Sequence, residues 1–144
     1  MKVKITRIDK ELPLPKYQTD GSVGCDLYAR ITTVVPPKTL VKIPTNIIIG
    51  TPKGYMFLIT LRSSAPFKKG LIKANGVGIG DQDFCGPTDE YNLAVYNITD
   101  EETVVERGER IGQGIFVPVE IAEWEEVDEI KKTDRGGFGS TGHK

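Results

Sequence analysis

The stretch TTVVPPKTLVKIPTNIIIGTP, residues 32–52, decides the fold class. It contains three short runs rich in β-branched residues, at 32–35, 40–43 and 47–49, and prolines separate each run from the next. Branched side chains suit a pleated strand, and proline keeps each strand short. Because three such runs follow one another without a helical pattern, the stretch indicates an all-β protein.

The same pattern continues on both sides of this stretch. Only one helical turn is predicted, at 65–70, where Gly70 would end it. Many short strands punctuated by glycine and proline are typical of a sandwich or barrel, and 144 residues suffice for one domain with a real core. Further strands are predicted at 3–8, 23–29, 55–61, 91–98 and 111–121.

Composition excludes several classes of function. Nineteen basic and twenty acidic residues give a net charge of −1, whereas nucleic-acid binding usually requires a basic excess. No apolar window approaches the ~18 residues of a membrane span, and no signal peptide is apparent. Two cysteines and the single His143 cannot build a common zinc site, and a histidine-based triad is improbable. We therefore expect a cytoplasmic protein with no nucleic-acid or membrane partner.

Two polar segments follow predicted strands. Arg62, Ser63 and Ser64 combine a guanidinium group with two hydroxyls, a set that suits phosphate oxygens; the alternative is a surface arginine beside turn-capping serines. The segment NGVGIGDQDFCG, residues 75–86, predicts a hairpin whose bare backbone can approach a flat ligand. Its acids, Asp81 and Asp83, could hold a hard cation or activate water. Taken alone, this segment fits a solvated glycine-rich loop better.

Two further features lie nearer the C-terminus. Gln113 places an amide inside an apolar strand, where it needs a hydrogen bond from the protein or a ligand. The tail DRGGFGSTG, residues 134–142, contains Arg135 and Phe138 and could close over a phosphorylated base as a lid. On composition alone, an unstructured tail fits better.

In their order along the chain, these segments resemble the five motifs of the trimeric dUTP diphosphatase (dUTPase) family. An ordered set of five is far more specific than any one of them. The matching segments are VGCDLYA (23–29), RSS (62–64), NGVGIGDQDFCG (75–86), GERIGQ (108–113) and GGFGSTG (136–142).

The resemblance implies a fold, an assembly and an activity. The fold is an all-β jelly roll or distorted barrel with at most one short helix, comprising a domain at 1–132 and a flexible arm at 133–144. The assembly is a homotrimer with active sites between subunits, in which the arm of one chain covers a neighbour's site. The activity is hydrolysis of dUTP to dUMP and pyrophosphate with Mg²⁺.

The resemblance also implies a role for each matched residue. Asp81 activates the water that attacks the α-phosphorus, and Phe84 packs on the deoxyribose and excludes a 2′-hydroxyl. Asp26 approaches the metal through water. Uracil is read by Asn75 and the backbone of Gly78, Ile79 and Gly80. Phosphate, water or base contacts are assigned to Arg62, Ser63, Ser64, Gln113, Arg135 and Phe138.

The chain departs from the family pattern in places. Gly80 replaces the usual Ile or Val, which predicts a looser hairpin, and Phe84 lacks the hydroxyl of the usual Tyr. Arg135 lies nearer the Gly-Phe-Gly core than is usual, and the loop at 86–90 is longer.

Three alternatives remain from the sequence. A dCTP deaminase has the same fold, but Ala94 stands where its general acid/base glutamate is expected. A non-catalytic nucleotide sensor, or a dUTPase that also regulates a protein partner, is compatible with the tail. A structural jelly-roll protein would not need Asp81 or Arg62.

Overall fold

Short antiparallel strands make up most of the chain. The computed structural model describes residues 1–131, 133, 134 and 136. The strands and the single short helix in these residues confirm the predicted all-β class. The elements are β1 (Lys4–Arg7), β2 (Cys25–Tyr28), β3 (Thr33–Val35), β4 (Leu40–Pro44), β5 (Ile47–Gly50), β6 (Tyr55–Leu61), α1 (Ala65–Lys69), β7 (Leu71–Lys73), β8 (Gly78–Gly80), β9 (Asn92–Asn97), β10 (Thr103–Val105) and β11 (Arg110–Pro118).

The strands form a β jelly roll around one apolar core. One sheet has the order β2-β11-β6-β8 and another the order β4-β9-β7, while β1 pairs with β5 and β10 with β3. Along β6, alternate residues are buried, as expected for a strand with one face on the core. The core includes Leu27, Ile43, Phe57, Leu71, Leu93 and Val95.

The glycine-rich segment differs from the hairpin expected for it. Strand β7, before the turn, pairs with β9, whereas β8, after the turn, pairs with β6. The segment therefore links two sheets, and the predicted hairpin is wrong in its pairing. A three-residue strand has too few side chains to specify its partner locally, so neighbouring longer strands decide the pairing.

Helix α1 confirms the predicted helical turn. Pro66 lies in its first turn, where the missing N–H costs no hydrogen bond. Gly70 ends the helix with a φ of 62°, in the left-handed region, and its N–H donates to the Pro66 carbonyl at 3.0 Å. Within the described ranges, no helix is long and apolar enough to cross a membrane.

Candidate active site

Asp26 is the centre of a buried ionic cluster. It lies in β2, only 1% exposed, and its register partner in β11 is Gln113. Arg62 Nε lies 3.3 Å from Asp26 Oδ1, and Arg110 Nη1 donates to Oδ2 at 3.2 Å. The Gln113 amide donates to Oδ1 at 3.4 Å, which supplies the hydrogen bond expected for this amide. A buried carboxylate needs such partners to remain charged.

A cleft of about 220 Å³ opens beside this cluster. Both arginines remain partly exposed, so they can donate to a ligand while they hold Asp26. Lys69 forms an ion pair with Glu109 at 3.0 Å. Basic side chains outnumber acidic ones here, and the cleft therefore suits an anion. Its polar lining residues are Arg62, Ser64, Lys68, Lys69, Glu109 and Arg110. Ser63 does not line this cleft.

A second cleft, of about 380 Å³, lies where β8 ends. It brings together Asp81 and four more of the sequence-predicted residues, Asn75, Gly78, Ile79 and Phe84. Gly80 is buried and does not line the cleft. Asp83 does not line it either, so the two acids of this segment occupy different surroundings.

Three residues of this cleft were missed by sequence reasoning. Lys73 donates to Asn75 Oδ1, and burial lowers the pKa of its ammonium group. Because ammonium can only donate, the Asn75 amide presents its own N–H₂ donor elsewhere. Glu90 and Tyr91 also line the cleft. No local motif marks these three residues, since the pairing of β7 with β9 brings them together.

Glu90 is fixed by interactions away from the cleft. Arg30 donates to both its carboxylate oxygens, at 2.8 and 2.9 Å, and the Asn46 backbone N–H donates at 2.8 Å. The same carboxylate raises the pKa of the Arg30 guanidinium. This bidentate pair anchors the long loop at 86–90. In the described part of the chain, no cation pairs with Asp81, which leaves that carboxylate available.

The two clefts lie at opposite ends of β6. Gly80 is opposite Phe57, so Asp81 is level with Met56, whereas Arg62 follows the far end of the strand. At about 3.3 Å per residue, this places Asp81 and Arg62 roughly 20 Å apart. One chain therefore contains a phosphate-sized cationic cleft and an acid-bearing cleft, and the two clefts are separate from each other. Arg135 and Phe138 lie outside the described residues.

Ala94 lies in the wall of the second cleft, where a deaminase would place its glutamate. No general acid/base stands at that position. Among the described residues, no group of three or more histidine, cysteine or acidic side chains could hold a metal ion.

Comparisons with known proteins agree on one family. The sequence profile of the dUTPase family matches residues 10–142. The chain is similar to the deoxyuridine 5′-triphosphate nucleotidohydrolase of Dictyoglomus turgidum, at 38% identity over 99% of both chains. It is 42% identical to the protein of the same name from Desulfitobacterium hafniense, over 99% of this chain and 95% of the relative.

Solved structures show the same likeness. A dUTPase from Streptococcus mutans superposes with a TM-score of 0.77 at 31% identity, covering 83% of this chain and 98% of that one. A dUTPase of Staphylococcus bacteriophage 80alpha has a TM-score of 0.85 at 22% identity and covers 98% of each chain, which supports the fold alone.

Proposed function

Since the chain belongs to the dUTPase family, we propose that it hydrolyses dUTP to dUMP and pyrophosphate. The observation that carries the proposal is the Asp81 cleft. It combines a carboxylate without an ion-pair partner among the described residues, an exposed strand backbone and an aromatic ring within one cavity. These are the groups needed to activate water, read a pyrimidine and pack against a sugar.

Asp81 acts as the general base in this proposal. It takes a proton from a water molecule that attacks the α-phosphorus, and pyrophosphate leaves from the opposite side. Glu90 is held by Arg30, so it does not compete for this role. Asn75 and the backbone of the strand at 78–80 recognise uracil, and Phe84 packs on the deoxyribose. A pocket built on such hydrogen bonds rejects cytosine, because wrongly paired polar groups would stay unsatisfied.

The cationic cleft binds the phosphates. Arg62 and Arg110 are both oriented by the buried Asp26. Ser64 adds a hydroxyl inside this cleft. Ser63 and Gln113 do not line the cleft, and the proposal keeps them as contacts to phosphate oxygens or water beside it.

Magnesium fits this cleft as a partner of the substrate. Mg²⁺ is often bound by one or two carboxylates, several waters and substrate phosphates, so it does not need a cage of protein ligands. Asp26 would reach it only through water, since this carboxylate is buried, forms an ion pair with Arg62 and accepts hydrogen bonds from Arg110 and Gln113. When bound, the ion would neutralise phosphate charge and polarise the phosphoryl oxygens.

Assembly completes the site in this proposal. Because Arg62 and Asp81 are roughly 20 Å apart along one strand, one triphosphate needs the cationic cleft of one chain and the Asp81 cleft of another. We propose a homotrimer with a β domain at 1–132 and a flexible arm at 133–144. The arm would bring Arg135 to a phosphate and Phe138 over the base. The two free thiols, Cys25 and Cys85, fit a cytoplasmic location.

The test is a panel of deoxy- and ribonucleoside triphosphates with Mg²⁺ and pyrophosphate detection. We expect hydrolysis confined to dUTP. Ammonia release from dCTP would instead indicate a deaminase, and dUTP binding without hydrolysis a nucleotide sensor. Either result would overturn the proposal.

A further inference from the structure

Tyr91 is a buried residue of the acid-bearing cleft, and its ring packs behind that of Phe84. It is 4% exposed and immediately precedes β9. Its ring packs edge-on against Phe84, with centroids 5.2 Å apart, and against the core residue Phe57 at 5.4 Å. Such edge-to-face pairs are favourable aromatic geometries. Tyr91 therefore connects the cleft aromatic to the core of the jelly roll.

Gly80 is complementary to this ring. A Cβ atom added at Gly80 would come within 2.7 Å of Tyr91 Cε1 and 2.8 Å of Tyr91 Cζ, closer than real contacts allow. The phenol ring thus occupies the volume that a branched residue at position 80 would fill. The looser hairpin expected from Gly80 stays a prediction, while the space beside that backbone is filled by Tyr91.

The hydroxyl oxygen of Tyr91 is the atom closest to the space beside Gly80, so it helps to fill the volume that a side chain at position 80 would need. In the described part of the chain, its oxygen is buried and makes no hydrogen bond of normal geometry, although the Thr51 hydroxyl is close enough to offset part of the rise in the pKa of Tyr91. Burial raises the pKa of the phenol, so it stays neutral near pH 7. Phe84 contacts the ring of Tyr91, so a phenylalanine at position 91 would keep that contact, although it would not fill the space that the hydroxyl occupies beside Gly80.

Phe84 depends on Tyr91 for its position. The Phe84 side chain is 39% exposed at the cleft, with Tyr91 packed against it. Without the ring of Tyr91, Phe84 could turn inward into the vacated volume. That movement would enlarge the cleft where a sugar would pack.

We propose that Tyr91 is a positioning residue that sets selectivity for deoxyribose over ribose by holding Phe84 against the sugar. Gly80 is required because Tyr91 occupies its side-chain space. This inference rests on the proposed function, and it adds to that function a buried residue that acts through Phe84.

The test compares Tyr91→Leu with Tyr91→Phe. We expect Tyr91→Leu to lower the ratio of kcat/KM for dUTP to that for UTP roughly tenfold, mainly by lowering KM for UTP. Tyr91→Phe keeps the ring and should retain the wild-type ratio. If Tyr91→Leu does not fold, Tyr91→Met, which also removes the aromatic ring, is used instead.

Phe116→Leu is the matched control. Phe116 packs against the same core ring, Phe57, with centroids 4.8 Å apart, and it does not line the Asp81 cleft. It should lower the Tm without changing the dUTP/UTP ratio. An unchanged ratio in Tyr91→Leu, or the same change in Phe116→Leu, overturns the proposal.

A second measurement separates this inference from the proposed function. If the wild-type chain hydrolyses no dUTP, the proposed function fails. The inference about selectivity is then tested by calorimetric binding of dUMP and UMP to the same variants. We expect only Tyr91→Leu to lose the preference for dUMP over UMP. The packing of Tyr91 against Gly80 is tested separately by the melting temperature. Gly80→Ala should lower the Tm more in the wild-type chain than in the Tyr91→Leu chain.

Discussion

Asp81 provides the sharpest prediction at a single position. Asp81→Asn removes the proton acceptor but keeps a side chain of the same size, so nucleotide binding should persist. We expect kcat to fall by about 10²–10⁴-fold, the usual contribution of a general base. Pyrophosphate release measures the rate, and calorimetry with dUMP measures binding.

The matched control for this variant is Asp83→Asn. Asp83 lies two residues away but does not line the cleft. Its replacement should leave kcat within a few-fold of wild type. Near-wild-type turnover by Asp81→Asn, or equal losses in both variants, would contradict the assignment.

Single residues differ in how far the sequence predicts them. The ordered motifs selected Asp26, Arg62 and Gln113, and the structure brings these three side chains together. Arg110 was not selected, although its guanidinium also donates to Asp26. Its partner lies 84 positions away in sequence. Only the pairing of β2 with β11 makes these two residues neighbours.

Helix α1 offers a test of local backbone chemistry. Gly70 ends the helix at a φ of 62°, and an added Cβ would overlap the Thr99 side chain. Gly70→Ala should therefore lower the free energy of unfolding by about 2–4 kcal/mol, through a left-handed conformation and overpacking. Urea denaturation measures this change.

Gly54→Ala separates the two contributions. Gly54 also has a positive φ, of 81°, but an added Cβ would meet no atom within 4 Å. Its replacement should cost only the backbone strain, about 1–2 kcal/mol. If both variants lose equal stability, the contact with Thr99 contributes nothing.

The strands show where local patterns are sufficient. β6 runs from Tyr55 to Leu61, the bounds predicted for it, and its alternate burial appears only in the fold. The sequence did not predict the three-residue strands β7 and β8, because glycines and short length leave no hydrophobic periodicity to identify. Their pairing with different sheets is a property of the assembled fold.

The separation of the two clefts gives a prediction for the whole assembly. Arg62→Gln impairs the cationic cleft, and Asp81→Asn impairs the acid-bearing cleft. If each site draws these residues from different chains, unfolding and refolding the two variants together should recover about one quarter of wild-type activity by random mixing. Pyrophosphate release and the mass of the assembly are measured together.

The control for this experiment mixes Asp81→Asn with the double variant Arg62→Gln/Asp81→Asn. No site in that mixture contains Asp81, so activity should stay at the level of the single variant. Mixed trimers of Arg62→Gln and Asp81→Asn that remain inactive would show that the site does not combine these residues across chains.

The C-terminal arm is tested by a chain that ends at Lys132. It keeps every described strand and the complete core, so its Tm and oligomeric mass should match those of the full chain. Turnover of dUTP should fall sharply, since Arg135 and Phe138 are removed. Undiminished turnover in the shortened chain would show that the arm is dispensable.

Residue types and their spacing along the chain were sufficient to predict the β class and to find the five motifs in order, while the choice of Asp81 over Asp83 rests on the family resemblance. Those properties depend on residue type and local spacing, which can be read from the sequence before the fold is known. Three features follow from the three-dimensional fold alone: Asp26 is buried among Arg62, Arg110 and Gln113, Tyr91 fills the space beside Gly80, and the two clefts lie apart. Strand pairing joins residues distant in sequence, and its register follows from packing of the whole core.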